Sequence, residues 1–466
     1  MKKMILIFLV LFLASCSEPS RQACVGKAVY YDRSKVTMDM IEWVDDHSQG
    51  CNDVVFLDPL DEIAADFVKT ALRMGQVDGD YVDAYHGPKK WKTEADGVTV
   101  DKALLAEHIE SLQQRLATIE VSNLAVKRQQ KLSKILRAMA VRLDVISGKE
   151  VSFDKEVSDI YDVIPPRYDL SQYEEVFADI DKLLPGEGST AERVSAFKNT
   201  IAIPKSQLKP VFDRAIEECK SRTKQYYDLP KNEKFKMEFV TNKSWSGYNY
   251  YQGDYTSLIQ INTDFPIIID RAVDLGCHEG YPGHHVWNLF VERELVNKRG
   301  WIEYSVSPLF GPFGPMAEGT GNFGVELAFP DEEKIEFERD VLFPMAGLDP
   351  QKAETLVALN KLIFKLSHAT NEVARQYLNG DITYEEAVPL MQKYYLETRE
   401  KTEQRLRFVK KYRGYVINYN IGRDLAAEYI NSSGDSRDVK WSAFKDMLTI
   451  PLSASDIQDP NSQPMK

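Results

Sequence analysis

The chain has no block of basic residues. Lys and Arg number 58 against 71 Asp and Glu, a formal net charge of −13 over 466 residues. Phosphate backbones are gripped by clustered cations, so this balance argues against nucleic acid as a partner. Beyond the N-terminus there is no apolar run near the roughly 20 residues that a membrane-spanning helix needs. There is no internal repeat and no low-complexity linker. Histidine is scarce, at seven residues. Apolar residues are plentiful, at 43%, enough for a large packed core. Length alone allows up to about three domains at roughly 150 residues each. Without a linker, one large, mainly helical unit with a small sheet is the expectation.

Residues 1–16 read as an export signal. Lys2 and Lys3 supply a positive start, and Ile5 to Leu13 an apolar stretch too short to cross a bilayer. Leu13-Ala14-Ser15-Cys16 resembles the lipobox of bacterial lipoproteins. That resemblance implies lipid on Cys16 and membrane contact through that lipid alone. With Ser17 following, it implies the outer membrane of a Gram-negative envelope, on the periplasmic face. An ordinary cleaved signal peptide is the alternative. Export permits disulfides. Cys24 and Cys51, close in sequence, are the candidate pair, while Cys277 reads as a small buried residue.

Residues 17–230 read as a helical region. Asp78-Gly79-Asp80 and Tyr85-His86-Gly87-Pro88 are turn signals, with His86 a surface loop residue. Leu105, Ile109, Leu112, Leu116 and Ile119 step by three or four, as do Leu132, Ile135, Met139, Leu143 and Ile146. Each set lies on one helical face, and Gly148 is a candidate C-cap. A further helix is expected over 209–227, with Pro210 in its first turn. Residues 231–466 form the second region of the same unit. Phe235 to Val240 and Tyr255 to Asn262 read as strands, joined by an aromatic loop over Trp245 to Tyr251. Asp349-Pro350 starts a helix running to about Asn379-Gly380, and Thr383 with Glu386 is a capping box. From Asn431 the chain is polar and is expected to end in a loose tail.

Three of the seven histidines fall in Cys277-His278-Glu279-Gly280-Tyr281-Pro282-Gly283-His284-His285. Imidazoles beside a carboxylate suit a zinc ion with its own proton acceptor. The usual spacing of two histidines four apart is absent, because position i+4 is Pro282. In an unbroken helix, His278 and His284 point about 120° apart, and His285 lies about 10.5 Å along the axis. Neither pair could then share a zinc ion, whose nitrogen ligands sit about 2.0–2.1 Å away. The metal reading therefore requires the chain to be redirected at Pro282-Gly283. His284 is then the preferred second imidazole and His285 the alternative, or a contact to substrate. Glu279 is the candidate general base. Glu318 is the candidate third ligand, with Glu326 in reserve. Gly319, Gly321 and Gly324 make its helix poor by propensity, which makes sense if that backbone packs closely against something.

These residues resemble the bacterial family known as domain of unknown function 885, which looks related to the gluzincin-type zinc metallopeptidases. His278 to His285 fits its signature, Glu318-Gly319 its second element, Gln260-Ile261-Asn262-Thr263 the strand before the motif, and Tyr419-Asn420-Ile421-Gly422 a downstream motif. The resemblance implies a helical fold with a small sheet beside a deep cleft. It implies zinc on His278, His284 and Glu318, with Glu279 as base. It also implies a peptide substrate pairing with the 257–262 strand near Gln260 and Asn262. Tyr419, or alternatively Tyr415, would donate to the oxyanion. Arg413 and Arg423 are candidates for a substrate carboxylate, although two solvated arginines are the plainer reading. Thr320, Val286-Trp287 and Asn420 depart from the family pattern and bear on substrate preference. The function expected is zinc-dependent peptide hydrolysis at the cell envelope. A degenerate metal- and peptide-binding lipoprotein, or a zinc hydrolase of another amide such as a cell-wall fragment, are the alternatives.

Overall fold

The structure is a computed structural model that describes residues 59–121 and 125–458, together with the backbone of two short strands, 28–30 and 53–55. Cys16, Cys24, Cys51 and the expected export signal lie outside the described residues.

Local sequence dictates most of the helices. β1 (Ala28–Tyr30) and β2 (Asp53–Val55) pair in parallel ahead of α1 (Pro59–Val77). The Asp78-Gly79-Asp80 turn leads into β3 (Val82–Tyr85). α2 (Lys102–Thr118) buries Leu105, Ile109, Leu112 and Leu116, and the Asp101 carboxylate caps it by accepting from the Ala103 and Leu104 amides. α3 (Val126–Ile146) buries Leu132, Ile135, Met139 and Leu143. Gly148, two residues past its end, takes φ +84°, the left-handed conformation that glycine adopts cheaply. Arg128 on α3 is 2.7 Å from Asp61 Oδ1 and 2.6 Å from Glu303 Oε1, tying α1 and α3 to the segment at 303.

α4 (Leu208–Lys224) precedes a three-stranded sheet of β4 (Lys234–Val240), β5 (Gly247–Tyr251) and β6 (Thr256–Asn262). The order is β4-β6-β5, with β6 parallel to β4 and antiparallel to β5. Two expectations are corrected here. The latter part of the aromatic loop is strand β5. β6 is the central strand, hydrogen-bonded on both sides, and has no free edge for an extended peptide. β5 pairs with β6 across the short turn at 252–255, and alternation within the loop alone does not reveal the strand.

α5 (Arg271–Glu279) and α6 (His284–Phe290) follow, and α6 continues as π-helix over 291–298. β7 (Val306–Pro308) pairs antiparallel with β3, and α7 (Gly314–Ala328) comes next. α8 (Ala353–Asn379) ends at Gly380, φ +79°. α9 (Tyr384–Tyr395) opens on the Thr383/Glu386 capping box, complete in both directions. α10 (Arg399–Tyr412), α11 (Ile421–Ser432), α12 (Arg437–Thr449) and α13 (Ala454–Gln458) follow. The fold is mainly α with a small sheet.

The loose tail from Asn431 is a third correction. α12 buries Trp441, Phe444, Met447 and Leu448, an apolar stripe at helical spacing, and Trp441 stacks on Tyr226 at 4.5 Å between centroids. Its polar residues occupy the other face. A continuous buried cluster runs from Leu60 to Ala454, on both sides of position 230. No described helix is long and apolar enough to cross a membrane.

Candidate metal centre

α5 stops at Glu279, and the chain turns back through Gly280-Tyr281-Pro282-Gly283, with a cis peptide before Pro282. The Gly283 amide donates to Cys277 O at 3.0 Å. A Cβ on Gly283 would lie 1.8 Å from His278 O, so only glycine permits this return. α6 then begins at His284, beside His278, with ring centroids 4.6 Å apart and planes at 87°. The chain is thus redirected within the segment that contains Pro282 and Gly283.

Glu318 arrives from α7. Gly319 lets that helix cross α11 at backbone contact: a Cβ there would lie 2.2 Å from Gly422 O. Gly321 faces the His278 ring, where a Cβ would lie 2.8 Å from Cε1. Ligand atoms of His278, His284 and Glu318 lie within 4.8 Å of one another. The Nε2 atoms of His278 and His284 are 3.3 and 3.6 Å from Glu318 Oε2. Ligands about 2.05 Å from a tetrahedral centre are roughly 3.4 Å apart. Glu318 Oε2 is buried, yet despite these distances it has no hydrogen bond of good geometry among the described residues. A buried carboxylate oxygen left without a donor is costly unless a cation takes it. Two imidazoles and a carboxylate around that oxygen fit zinc.

The surrounding groups orient the three ligands. His278 Nδ1 is 2.9 Å from Asn322 Oδ1, and Asn322 Nδ2 donates to Tyr419 O at 2.6 Å. The amide orientation set by Tyr419 makes Nδ1 the protonated nitrogen, which leaves Nε2 its lone pair for a metal. The Tyr415 hydroxyl donates to Glu318 Oε1. Burial works against charge on His284, but Glu318, then Glu279 and Asp83, outweigh it and hold the metal-free imidazole up at about 9. Burial likewise opposes the Glu318 carboxylate, and the two histidines overcome it and hold its pKa well below the usual range. Proton and metal compete for one site.

Glu279 is 5% exposed, and no donor among the described residues reaches its carboxylate. Burial pushes its pKa up, offset in part by His278 and His284. It faces a cavity of about 800 Å³ whose lining includes the three candidate ligands, β5, Asp83 and Tyr419. The Tyr248 hydroxyl on β5 donates to Asp83. Burial raises Asp83 to about 6 in spite of that bond.

Tyr419 lines the cavity and its hydroxyl has no hydrogen-bond partner among the described residues, whereas Tyr415 is committed to Glu318. His285 is elsewhere. Its ring is fully buried, with Nδ1 2.8 Å from Ser257 Oγ and Nε2 3.2 Å from Glu233 Oε2. Burial keeps it below its ordinary pKa. Gln260 and Asn262 do not line the cavity: Gln260 reaches Glu238, and Asn262 holds the carbonyls of Lys243 and Trp245. Their expected substrate contacts are therefore corrected to sheet and loop contacts, and that of His285 to support of the sheet. Glu326 is bound to Arg423, and Arg413 to the buried Glu156, so neither arginine is free for substrate.

One further expectation falls. His86 is not a surface residue: its Nδ1 is sealed from solvent and unpaired among the described residues, although the residue as a whole is half-buried. Cys277 is buried, as expected, and is bonded to Cys219. Asn322, Asp83, Tyr248 and Arg405 were not expected at the site. Asn322 had a legible signal, lying four residues after Glu318 and so on the same helical face.

No family model matches the chain, and no curated protein matches it. It is similar to a candidate lipoprotein from Colwellia psychrerythraea, at 11% identity over 76% of this chain and 65% of that one, TM-score 0.48. It is similar to a candidate lipoprotein of unknown function from Shewanella oneidensis, at 15% identity over 79% and 75%, TM-score 0.41. It is also similar to an M32 carboxypeptidase from Deinococcus radiodurans R1, at 12% identity over 86% and 93%, TM-score 0.43. The chain thus spans just under two thirds of the Colwellia protein. The reading of the site rests on its own residues.

Proposed function

We propose that the protein is a zinc-dependent peptidase, tethered by lipid on Cys16 to the periplasmic face of the outer membrane. The observation that carries the peptidase reading is the set of ligand atoms on His278, His284 and Glu318, within 4.8 Å of one another, beside the unpaired Glu279 carboxylate. The sequence resemblance to domain of unknown function 885 and the gluzincins supports it. Zinc bound there supplies a Lewis acid for the peptide carbonyl and lowers the pKa of water. Glu279 takes the proton of the attacking water and returns it to the leaving amine. The hydroxyl of Tyr419, which lines the cavity and has no partner among the described residues, donates to the developing oxyanion. Tyr415 and Asn322 act through Glu318 and His278, which they hold in place.

The test is metal analysis of the purified protein together with cleavage of a peptide library, with Glu279→Gln alongside. One zinc per chain and cleavage abolished by the substitution are expected. Wild-type protein without zinc would sink the site. Zinc without cleavage of any peptide would favour a binding protein, and cleavage of cell-wall amides alone would move the substrate class.

A further inference from the structure

Asp80, Asp83, Asp274, Glu279, Glu303 and Glu318 line the cavity, and Asp80 and Glu303 are paired with Lys411 and Arg128 behind it. Among the described lining residues, the only lysine or arginine side chains are Arg271 and Arg405. Arg271 is bound to Asp274. Arg405, on α10, forms no ion pair with any described residue, and its Nε is sealed from solvent without a hydrogen-bond partner. Its guanidinium is steadied by rings instead, 5.2 Å from the Phe408 centroid and 6.0 Å from that of Tyr395.

The position of this cation relates it to the reacting atoms. The Phe408 ring is 6.4 Å from that of Tyr419, and Tyr419 is 5.7 Å from Tyr415, which holds Glu318. Three rings, Phe408, Tyr419 and Tyr415, thus link Arg405 to Glu318, and its charge acts on the Tyr419 hydroxyl in the same cavity. A guanidinium presents a planar fork of donors that matches a carboxylate. A buried donor left unmade is costly, and the other arginine of the lining, Arg271, is already taken by Asp274. Arg413 and Arg423 are already neutralised by Glu156 and Glu326.

We propose that Arg405 determines specificity by binding one carboxylate of the substrate. The peptide taken is then one that presents an anionic group a short distance from the cleaved bond, either its own C-terminal carboxylate or an acidic side chain. This rests on the peptidase reading for the bond that is cleaved, but not for the binding itself.

The experiment is calorimetry on the full, zinc-loaded Glu279→Gln protein with three matched peptides. One has a free C-terminus and neutral side chains, one is amidated and neutral, and one is amidated with a glutamate. Binding of at least one carboxylate-bearing peptide on the order of 10- to 100-fold tighter than the neutral one is expected. Arg405→Gln removes that difference and leaves the neutral peptide unchanged, while Arg405→Lys keeps part of it. The peptide that gains identifies the source of the carboxylate. Equal binding of all three, no binding of any, or a preference that survives Arg405→Gln overturns the proposal. Cleavage is not the readout, so loss of the peptidase reading shows separately, as tight binding by a protein whose wild type cuts nothing.

Discussion

Asn322 Oδ1 stands 2.9 Å from His278 Nδ1, and the same amide donates to Tyr419 O. One side chain thus fixes the tautomer of the first imidazole and its own orientation. Removing such an acceptor from a metal-binding histidine costs about 10- to 100-fold in affinity. Asn322→Ala is expected to weaken zinc by that factor in competition with a chromogenic chelator. Asn322→Asp keeps the acceptor and is expected to hold most of the affinity. An alanine variant that binds as the wild type does would show that the imidazole is oriented by something else.

Much of this site is legible in the sequence because its constraint is local. His278 and His284 cannot meet across a regular helix, and Pro282 with Gly283 names the place where the helix must fail. Gly319 and Gly321 likewise signal close packing before the partners, Gly422 and His278, are known. The helical stripes and the Thr383/Glu386 box are read from neighbours three or four residues apart. What stays hidden depends on partners outside the segment itself. β5 is a strand because β6 pairs with it. Cys277 is a half-cystine because Cys219 lies across from it on α4. Arg405 is one of several cations on a polar helix, and nothing in 399–412 tells which of them faces a cavity.

His284 and His285 are adjacent but have separate work. His284→Ala removes an atom 3.6 Å from Glu318 Oε2, and zinc content is expected to fall from one per chain to near zero with the fold intact. His285→Ala vacates a fully buried site between Ser257 and Glu233. Glu233 keeps Lys220 at 2.5 Å and the Tyr281 hydroxyl at 2.7 Å, so the loss is partial. A cost of about 2–4 kcal/mol is expected in denaturant unfolding, with zinc retained. The reverse pattern, zinc lost from the His285 variant alone, would reassign the second ligand.

His86 makes stability depend on pH. Burial lowers its pKa from 6.5 to about 4 in the folded chain. Between those values the unfolded chain binds the proton and the folded chain does not, so stability rises with pH across that window. The contribution is fully present above about pH 6.5 and is lost as pH falls towards 4, roughly 3 kcal/mol in all. The unpaired Nδ1 faces no described partner, and the ring meets Tyr251 edge-on at 5.6 Å. His86→Phe is therefore expected to fold and to flatten the decline between pH 7 and 4. An unchanged slope in that variant would assign the dependence to other groups.

The Cys219–Cys277 bond joins α4 to the last turn of α5, one residue before His278. Successive residues on a helix point about 100° apart. Holding Cys277 against α4 therefore holds the rotation of the turn that carries His278 and Glu279. The bond closes a loop of 58 residues, for which chain entropy gives up to about 4 kcal/mol. Cys219→Ala with Cys277→Ala is expected to lower unfolding stability by an amount of that order. The double variant should still bind one zinc, because Gly283 and the α7 glycines also fix the ligands, but more weakly than the wild type. Stability lost with zinc affinity unchanged would mean that the bond serves the fold alone, and that the turn at Gly280-Gly283 suffices to hold the histidine pair.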